Sequence, residues 1–178
     1  MLRRLQEKDA EGMLEWMHDP EIQRNFRTDM AHKKYEEVIA FIRDAKVQVI
    51  DGKSVHYAVA DETDEYIGTI SLKNIDLTAK KAEYAICLRK KAHGRGIALA
   101  ATRELLEIAF RQFGLARVYL NVLSDNEKAI HLYEKCGFHC EGEFRNHLFL
   151  QGKYHNLKWY GILKEEYIKL FSEAEEKE

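Results

Sequence analysis

Between Arg89 and Ala98 the chain sets Arg89, Lys90, Lys91, His93 and Arg95 around two glycines, Gly94 and Gly96. Glycine lets a backbone approach a ligand closely and adopt positive φ. From about Ile97 the sequence reads as a long helix, whose first N–H groups lack intrahelical partners and carry partial positive charge. Such a terminus binds phosphate, so the stretch reads as a pyrophosphate cradle. On their own, the same residues read equally well as a solvated charged turn. Two other phosphate loops are excluded. The P-loop pattern Gly-x-x-x-x-Gly-Lys-Ser/Thr occurs nowhere in the chain. The dinucleotide fingerprint needs a third glycine where Leu99 stands, and it opens a βαβ unit; this loop comes midway, after strands that read as antiparallel.

The elements that would position the cradle follow from periodicity and punctuation. A short strand at Leu2 to Leu5 precedes a helix running to about His18, with Asp9 as its N-cap and Met13, Leu14 and Met17 on one face. Pro20 discourages continuation, and Glu21 to Thr28 reads as a loop or short turn. A second helix is expected from Lys33 to Lys46, on the stripe Tyr35, Val38, Ile39, Ile42 and Ala45. Three strands follow: Ser54 to Ala60, Tyr66 to Lys73, and Lys81 to Leu88, the last entering the cradle. Ile97, Ala101, Leu105, Ala109 and Phe113 give the next helix an i+4 series, with Gly114 as its stop. Ala116 to Leu123 alternates as a strand. Ser124 to Asn126 offers caps for a helix through Ala129, Ile130, Leu132, Tyr133 and Cys136, closed by Gly137. Glu143 to Leu150 and Lys153 to Leu163 flank the hairpin signal Gln151-Gly152. Glu165 to Glu178 reads as a charged tail, frayed beyond Leu170.

With 178 residues, the chain suits a single domain over residues 1–170 with a tail at 171–178. Net charge is −2, so the basic loop is a local feature and not the broad basic face of a nucleic-acid binder. No apolar run reaches membrane-spanning length and no signal-peptide core opens the chain. Cys87, Cys136 and Cys140 form no Cys-x-x-Cys pair, which points to a reduced, cytoplasmic protein without structural zinc. His93, His131, His139, His147 and His155 show no metal-ligand spacing, so no metal is expected.

The order of strand, Gly94-x-Gly96 turn, helix, strand, Asn126-x-x-Ala129-x-x-x-Tyr133 and Gly137-Phe138 resembles the GNAT superfamily of acetyl-CoA-dependent N-acetyltransferases. That family's loop reads Gln/Arg-x-x-Gly-x-Gly/Ala; here it is Lys91-Ala-His-Gly-Arg-Gly96, with lysine replacing the usual first residue and the charge retained. The resemblance implies an α/β (α+β) fold: a mixed, mostly antiparallel sheet whose fourth and fifth strands splay apart, with helices on both faces and acetyl-CoA in the gap. Backbone groups of Ile86, Cys87 and Leu88 would pair with the pantetheine arm. N–H groups of His93, Gly94, Arg95, Gly96, Ile97 and Ala98 would hold the pyrophosphate. Asn121 and Asn126 would face the pantetheine end; alternatively, Asn121 lies on the sheet's solvent face and Asn126 only caps its helix.

Acyl transfer to nitrogen requires a neutral amine. An alkylamine with pKa near 10.4 is neutral in about one molecule per thousand at pH 7, a deficit of roughly 4–5 kcal/mol that a general base relieves. Glu83, on the strand entering the cradle and on the face opposite Ile86, is the candidate base, directly or through water; otherwise it is an exposed strand carboxylate. Tyr133 matches the position where the family carries its general acid for the departing thiolate. A half-buried helix aromatic is the alternative. Cys87 and Cys136 read as packing residues.

Trp16, Arg24, Phe26 and Tyr154 are candidates for the acceptor pocket. Trp16 to Ile22 with Phe26-Arg-Thr28 resembles the entry segment of amino-sugar N-acetyltransferases. His131 to Phe138 and Gly152-Lys-Tyr154 resemble spermidine N-acetyltransferases, and ribosomal-protein N-terminal acetyltransferases share much of both. The expected partner is a small-molecule amine, polyamine or amino sugar. A protein α-amine is second, and a non-catalytic acetyl-CoA-binding or nucleic-acid-binding module is the alternative of another class. Neither nucleic acid nor membrane is expected as a partner, and a homo-oligomer is compatible with the sequence.

Overall fold

A computed structural model describes residues 1–26, 29–45 and 47–175, with side chains described to residue 170. Arg27 and Thr28 of the entry segment, Lys46 at the expected end of the second helix, and residues 176–178 lie outside the described residues.

The elements run β1 (Leu2–Arg4), α1 (Ala10–Met17), α2 (Pro20–Gln23), α3 (Tyr35–Asp44), β2 (Val55–Ala60), β3 (Tyr66–Asp76) and β4 (Lys81–Leu88). They continue with α4 (Ile97–Glu107), β5 (Arg117–Leu123), α5 (Glu127–Lys135), β6 (His139–Leu150), β7 (Lys153–Leu163) and α6 (Lys164–Glu175). The seven strands form one sheet in the order β1-β2-β3-β4-β5-β7-β6. Every neighbouring pair is antiparallel except β4 and β5.

Strand alternation divides the packing between two faces. On β4, Ala82, Tyr84 and Leu88 join the main core with Ala101, Leu105 and Leu106 of α4, Cys136, Phe138 and Tyr167. Cys87 points the other way, against Ala10, Met13, Trp16 and Met17 of α1 and Val38 and Ile42 of α3. Helices therefore cover both faces, and Glu83, sharing the parity of Cys87, stands on the α1–α3 side.

Several local expectations change; β6, for one, starts at His139, four residues before the expected Glu143. Asp9 does not cap α1. It is 1% exposed and its carboxylate takes a bidentate pair of bonds from Arg3, at 2.8 and 2.9 Å, plus the Gln6 N–H at 2.8 Å. Pro20, read as a stop, also starts α2 as its first residue, where its missing N–H costs nothing, and Asp19 caps that helix through the N–H groups of Glu21 and Ile22. The α4 series leaves regular α geometry at Ile108, where a π turn runs to Gln112 and shifts the apolar stripe before Gly114 turns the chain at φ 65°. The expected tail is instead α6 through residue 175. It is anchored by Tyr167, which is 1% exposed, lies 5.1 Å from the Phe110 ring and donates to Glu107 Oε2 at 2.6 Å.

Candidate active site

The parallel β4–β5 ladder is three rungs long: Lys81 with Arg117, Ala82 with Val118 and Glu83 with Tyr119. Past that rung, residues 84–88 pair only with β3, and residues 120–123 only with β7. The two strands part there, leaving one backbone edge of Tyr84 to Leu88 without a neighbouring strand. Buried backbone donors and acceptors are almost always paired, so an open edge inside a sheet is a template for an added, strand-like partner.

The open edge leads directly to the glycine loop. A single 3₁₀ turn at Lys90–Ala92 carries the chain out of β4, and Gly94 and Gly96 both sit at φ 75°. A Cβ at either glycine would meet no atom within 4 Å. Backbone conformation, not crowding, is what selects glycine there, and the side where a Cβ would stand is open. Gly96 is the N-cap of α4, no side chain caps the helix, and its first turn carries no acid. The first amides of this 11-residue helix and its positive dipole end are therefore free for an anion.

The basic residues do less than the sequence suggested. Arg89 donates to Glu15 at 3.0 Å and to Glu65 and the Tyr66 carbonyl, both at 2.9 Å. Lys90 pairs with Asp19 at 3.0 Å and Glu21 at 2.5 Å, and Lys91 pairs with Glu65. These three cations fasten the end of β4 to α1, α2 and the start of β3. His93 lies 3.3 Å from the Leu88 carbonyl through Nε2, and Arg95 makes no ion pair among the described residues. Three of the five basic groups beside the loop are thus paired with carboxylates.

Tyr133 packs against β4 from α5. Its ring stands edge-on to Tyr84, with centroids 5.7 Å apart and planes at 82°, and 6.1 Å from Phe138. Burial pushes its phenol well above the ordinary value, with smaller contributions from the Cys136 and Cys87 thiols. Behind it, Thr102 donates to the Ala98 carbonyl at 2.6 Å, so at the 2.7 Å contact Tyr84 must donate to Thr102. This buried chain ties β4 to the first turn of α4. Asn126 caps α5 by accepting from the Ala129 N–H at 3.2 Å, and Asn121 on β5 stands opposite Trp159 of β7.

At the closed end both oxygens of Glu83 are occupied. Oε1 accepts from Lys73 Nζ at 3.0 Å, and Oε2 accepts from Asn74 Nδ2 at 3.0 Å. Sequence reasoning passed over Lys73, Asn74 and Tyr119. The signal was available in the register: residues 73 and 83 lie symmetrically about the β3–β4 turn.

The four acceptor candidates do not form one cluster. Trp16 is 5% exposed, donates to Tyr66 Oη at 2.9 Å and stacks on Phe26 at 5.5 Å, inside the α1–α3 core. Arg24 is exposed, 4.0 Å from Glu21. Tyr154 is 63% exposed near the β6–β7 turn, against Phe149 at 5.0 Å. Two surface depressions lie elsewhere: one of about 530 Å³ beside α5, lined by Ser124, Lys128, His131 and Lys158 among others, and one of about 250 Å³ between α1 and Arg89. All three cysteines are free thiols. Burial pushes Cys136 up to about 11 and Cys87 higher still, which keeps both protonated and unsuited to nucleophilic attack. Among the described residues no cluster of three or more His, Cys, Asp or Glu could hold a metal, and no helix is long and apolar enough to cross a membrane.

Comparison with known proteins agrees with this geometry. Residues 1–139 match the acetyltransferase (GNAT) domain model. Spermidine N(1)-acetyltransferase of Vibrio cholerae is 29% identical over 157 residues, covering 88% of this chain and 91% of that one. The Escherichia coli K12 spermidine N(1)-acetyltransferase is 30% identical over 132 residues, 74% of this chain and 71% of its own. YdaF of Bacillus subtilis, provisionally named a ribosomal N-acetyltransferase, is 39% identical over 100 residues, 56% of this chain and 55% of its own. The crystal structure of the Vibrio cholerae spermidine enzyme with CoA and spermine superposes with a TM-score of 0.84 at 26% identity, covering 94% of this chain and 97% of that one. The chain belongs to the GNAT acetyltransferases and is an acetyl-CoA-dependent N-acetyltransferase.

Proposed function

We propose that the chain transfers an acetyl group directly from acetyl-CoA to a primary amine of a polyamine. The observation that carries the reading is the parting of β4 from β5 beyond Glu83, with an open β4 edge running from that carboxylate to the uncapped start of α4. Amides at Gly94 to Ala98 would take the diphosphate, and the edge at Ile86, Cys87 and Leu88 the pantetheine arm. The thioester supplies an acetyl carbon activated toward nitrogen. Glu83 would receive the amine's proton, directly or through water, and Tyr133 would give its proton to the departing sulfur. Burial keeps the phenol protonated and so able to hydrogen-bond the developing thiolate, though it also makes the phenol a weaker acid.

Two further features support a polyamine acceptor. Relatives from Vibrio cholerae and Escherichia coli are named for spermidine, and the carboxylate at the closed end already binds an alkylammonium, that of Lys73. Three free thiols, with Cys140 exposed, support a reducing cytoplasmic location.

An acceptor screen that follows release of free CoA thiol tests the reading, with polyamines, amino sugars, nucleotide amino sugars and peptide N-termini as arms. Turnover highest on polyamines is expected. Preferential turnover of a peptide α-amine would move the assignment to protein N-terminal acetylation, and acetyl-CoA binding without turnover of any amine would remove the catalytic reading.

A further inference from the structure

Lys73 and Glu83 are register partners across β3 and β4, on the sheet face that α1 and α3 cover further along. Their side chains are 37% and 18% exposed, so the lysine has a route to solvent while the carboxylate is largely enclosed. Asn74 fixes the second carboxylate oxygen. On the far side stands Tyr119, whose phenol is pushed up by burial and then by the Glu83 charge, with Asp76 a smaller contributor and Arg117 opposing. Glu83 is therefore a carboxylate held in place on one oxygen by a neutral amide and covered on the other by a partly exposed primary ammonium.

That ammonium is chemically the group the enzyme must bind. We propose that Lys73 is a built-in competitor for the acceptor, occupying Glu83 until an incoming amine displaces it. Partly exposed ion pairs of this kind are weakly held, so exchange of one alkylammonium for another is readily reversible. Displacement leaves Asn74 on Oε2 and frees Oε1 for the new amine, which makes Asn74 the residue that keeps the carboxylate aimed. In the empty enzyme, Lys73 keeps Glu83 from standing half-enclosed without a counter-charge. The inference rests on the reading of Glu83 as the acceptor-facing carboxylate.

Two measurements test it, using spermidine and, should the screen favour another amine, that amine. In steady-state kinetics, Lys73→Met, which keeps length and loses charge, should lower the acceptor KM about two- to fivefold, the range set by such ion pairs. The acetyl-CoA KM should not move, and Lys73→Arg should stay near wild type. In the unmodified enzyme with CoA, labelling of Lys73 by an amine-directed reagent, read by mass spectrometry relative to the exposed Lys53 in the same sample so that reagent consumed by spermidine cancels, should rise once spermidine binds. An acceptor KM that is unchanged or raised in Lys73→Met overturns the proposal. So does labelling of Lys73 that stays level or falls on acceptor binding, since the lysine would then remain on Glu83. Failure of the wild type to acetylate any polyamine refutes the choice of acceptor and leaves these two readouts to be taken with the amine that is turned over.

Discussion

The two ends of the β4–β5 gap are built on opposite plans. At the closed end the groups are side chains, and each is already partnered: Glu83 holds Lys73 and Asn74. At the open end the groups are backbone: α4 begins at a left-handed glycine with no capping side chain among the described residues. Backbone donors cannot rotate away, so leaving them unmatched commits that end to a ligand whose anionic shape recurs in every turnover. Side chains can exchange partners, and in the proposed function the closed end is the one that receives the acceptor. The cations beside the open end follow the same logic. Arg89, Lys90 and Lys91 serve as struts to α1, α2 and β3, and the first turn of α4 carries no acid.

The largest expected effect breaks the chemistry without touching either end's architecture. Tyr133→Phe keeps the edge-on contact with Tyr84 and removes the hydroxyl; turnover should fall ~10²–10⁴-fold, with the acetyl-CoA KM little changed. Because burial raises the Tyr133 phenol above its ordinary value near 10, the wild-type rate should show no falling limb from this group below about pH 10. Full turnover by the variant would take tyrosine out of the mechanism.

At the closed end, Glu83→Gln should cost about 10²-fold at neutral pH, the low edge of the range for positioned acid–base groups. Raising pH toward the amine's own pKa should recover part of the loss, because the substrate then arrives neutral. A loss that is flat with pH would make Glu83 a binding carboxylate only.

At the open end, Gly94→Val places a branched side chain at φ 75° and on the side left open. The acetyl-CoA KM should rise at least tenfold, about 1.4 kcal/mol, with the acceptor KM nearly constant. Equal rises in both constants would show that the two ends are not separable.

The smallest effect distinguishes cap from ligand. Asn126→Ala should lower stability by about 1 kcal/mol in urea unfolding, and Asn126→Ser should restore it. An acetyl-CoA KM that stays raised in the stable serine variant would assign Asn126 to the co-substrate as well.

How much of this was legible in the sequence depended on range. The Gly94-x-Gly96 loop, the α4 stripe as far as Leu105 and the sequence of elements are local signals, and they survive. The ion pairs that claim Arg89 and Lys91 span 74 and 26 residues, and nothing in a basic run reveals that its charges are spent elsewhere. The helix α6 was missed because its charged residues mask Tyr167, which docks it on Phe110. Lys73 went unnoticed because its meaning lies in the register, and β3 runs three residues past the expected end, to Asp76, through an irregularity after Lys73. Trp16 read as a pocket residue from its setting, yet its indole N–H is consumed by Tyr66.

Amide hydrogen exchange with and without acetyl-CoA tests the central claim most directly. The account predicts new protection confined to the β4 edge at residues 84–88 and the loop and helix start at residues 94–99. Protection centred instead on the depression around Ser124, Lys128 and His131, or none at either segment, would contradict it.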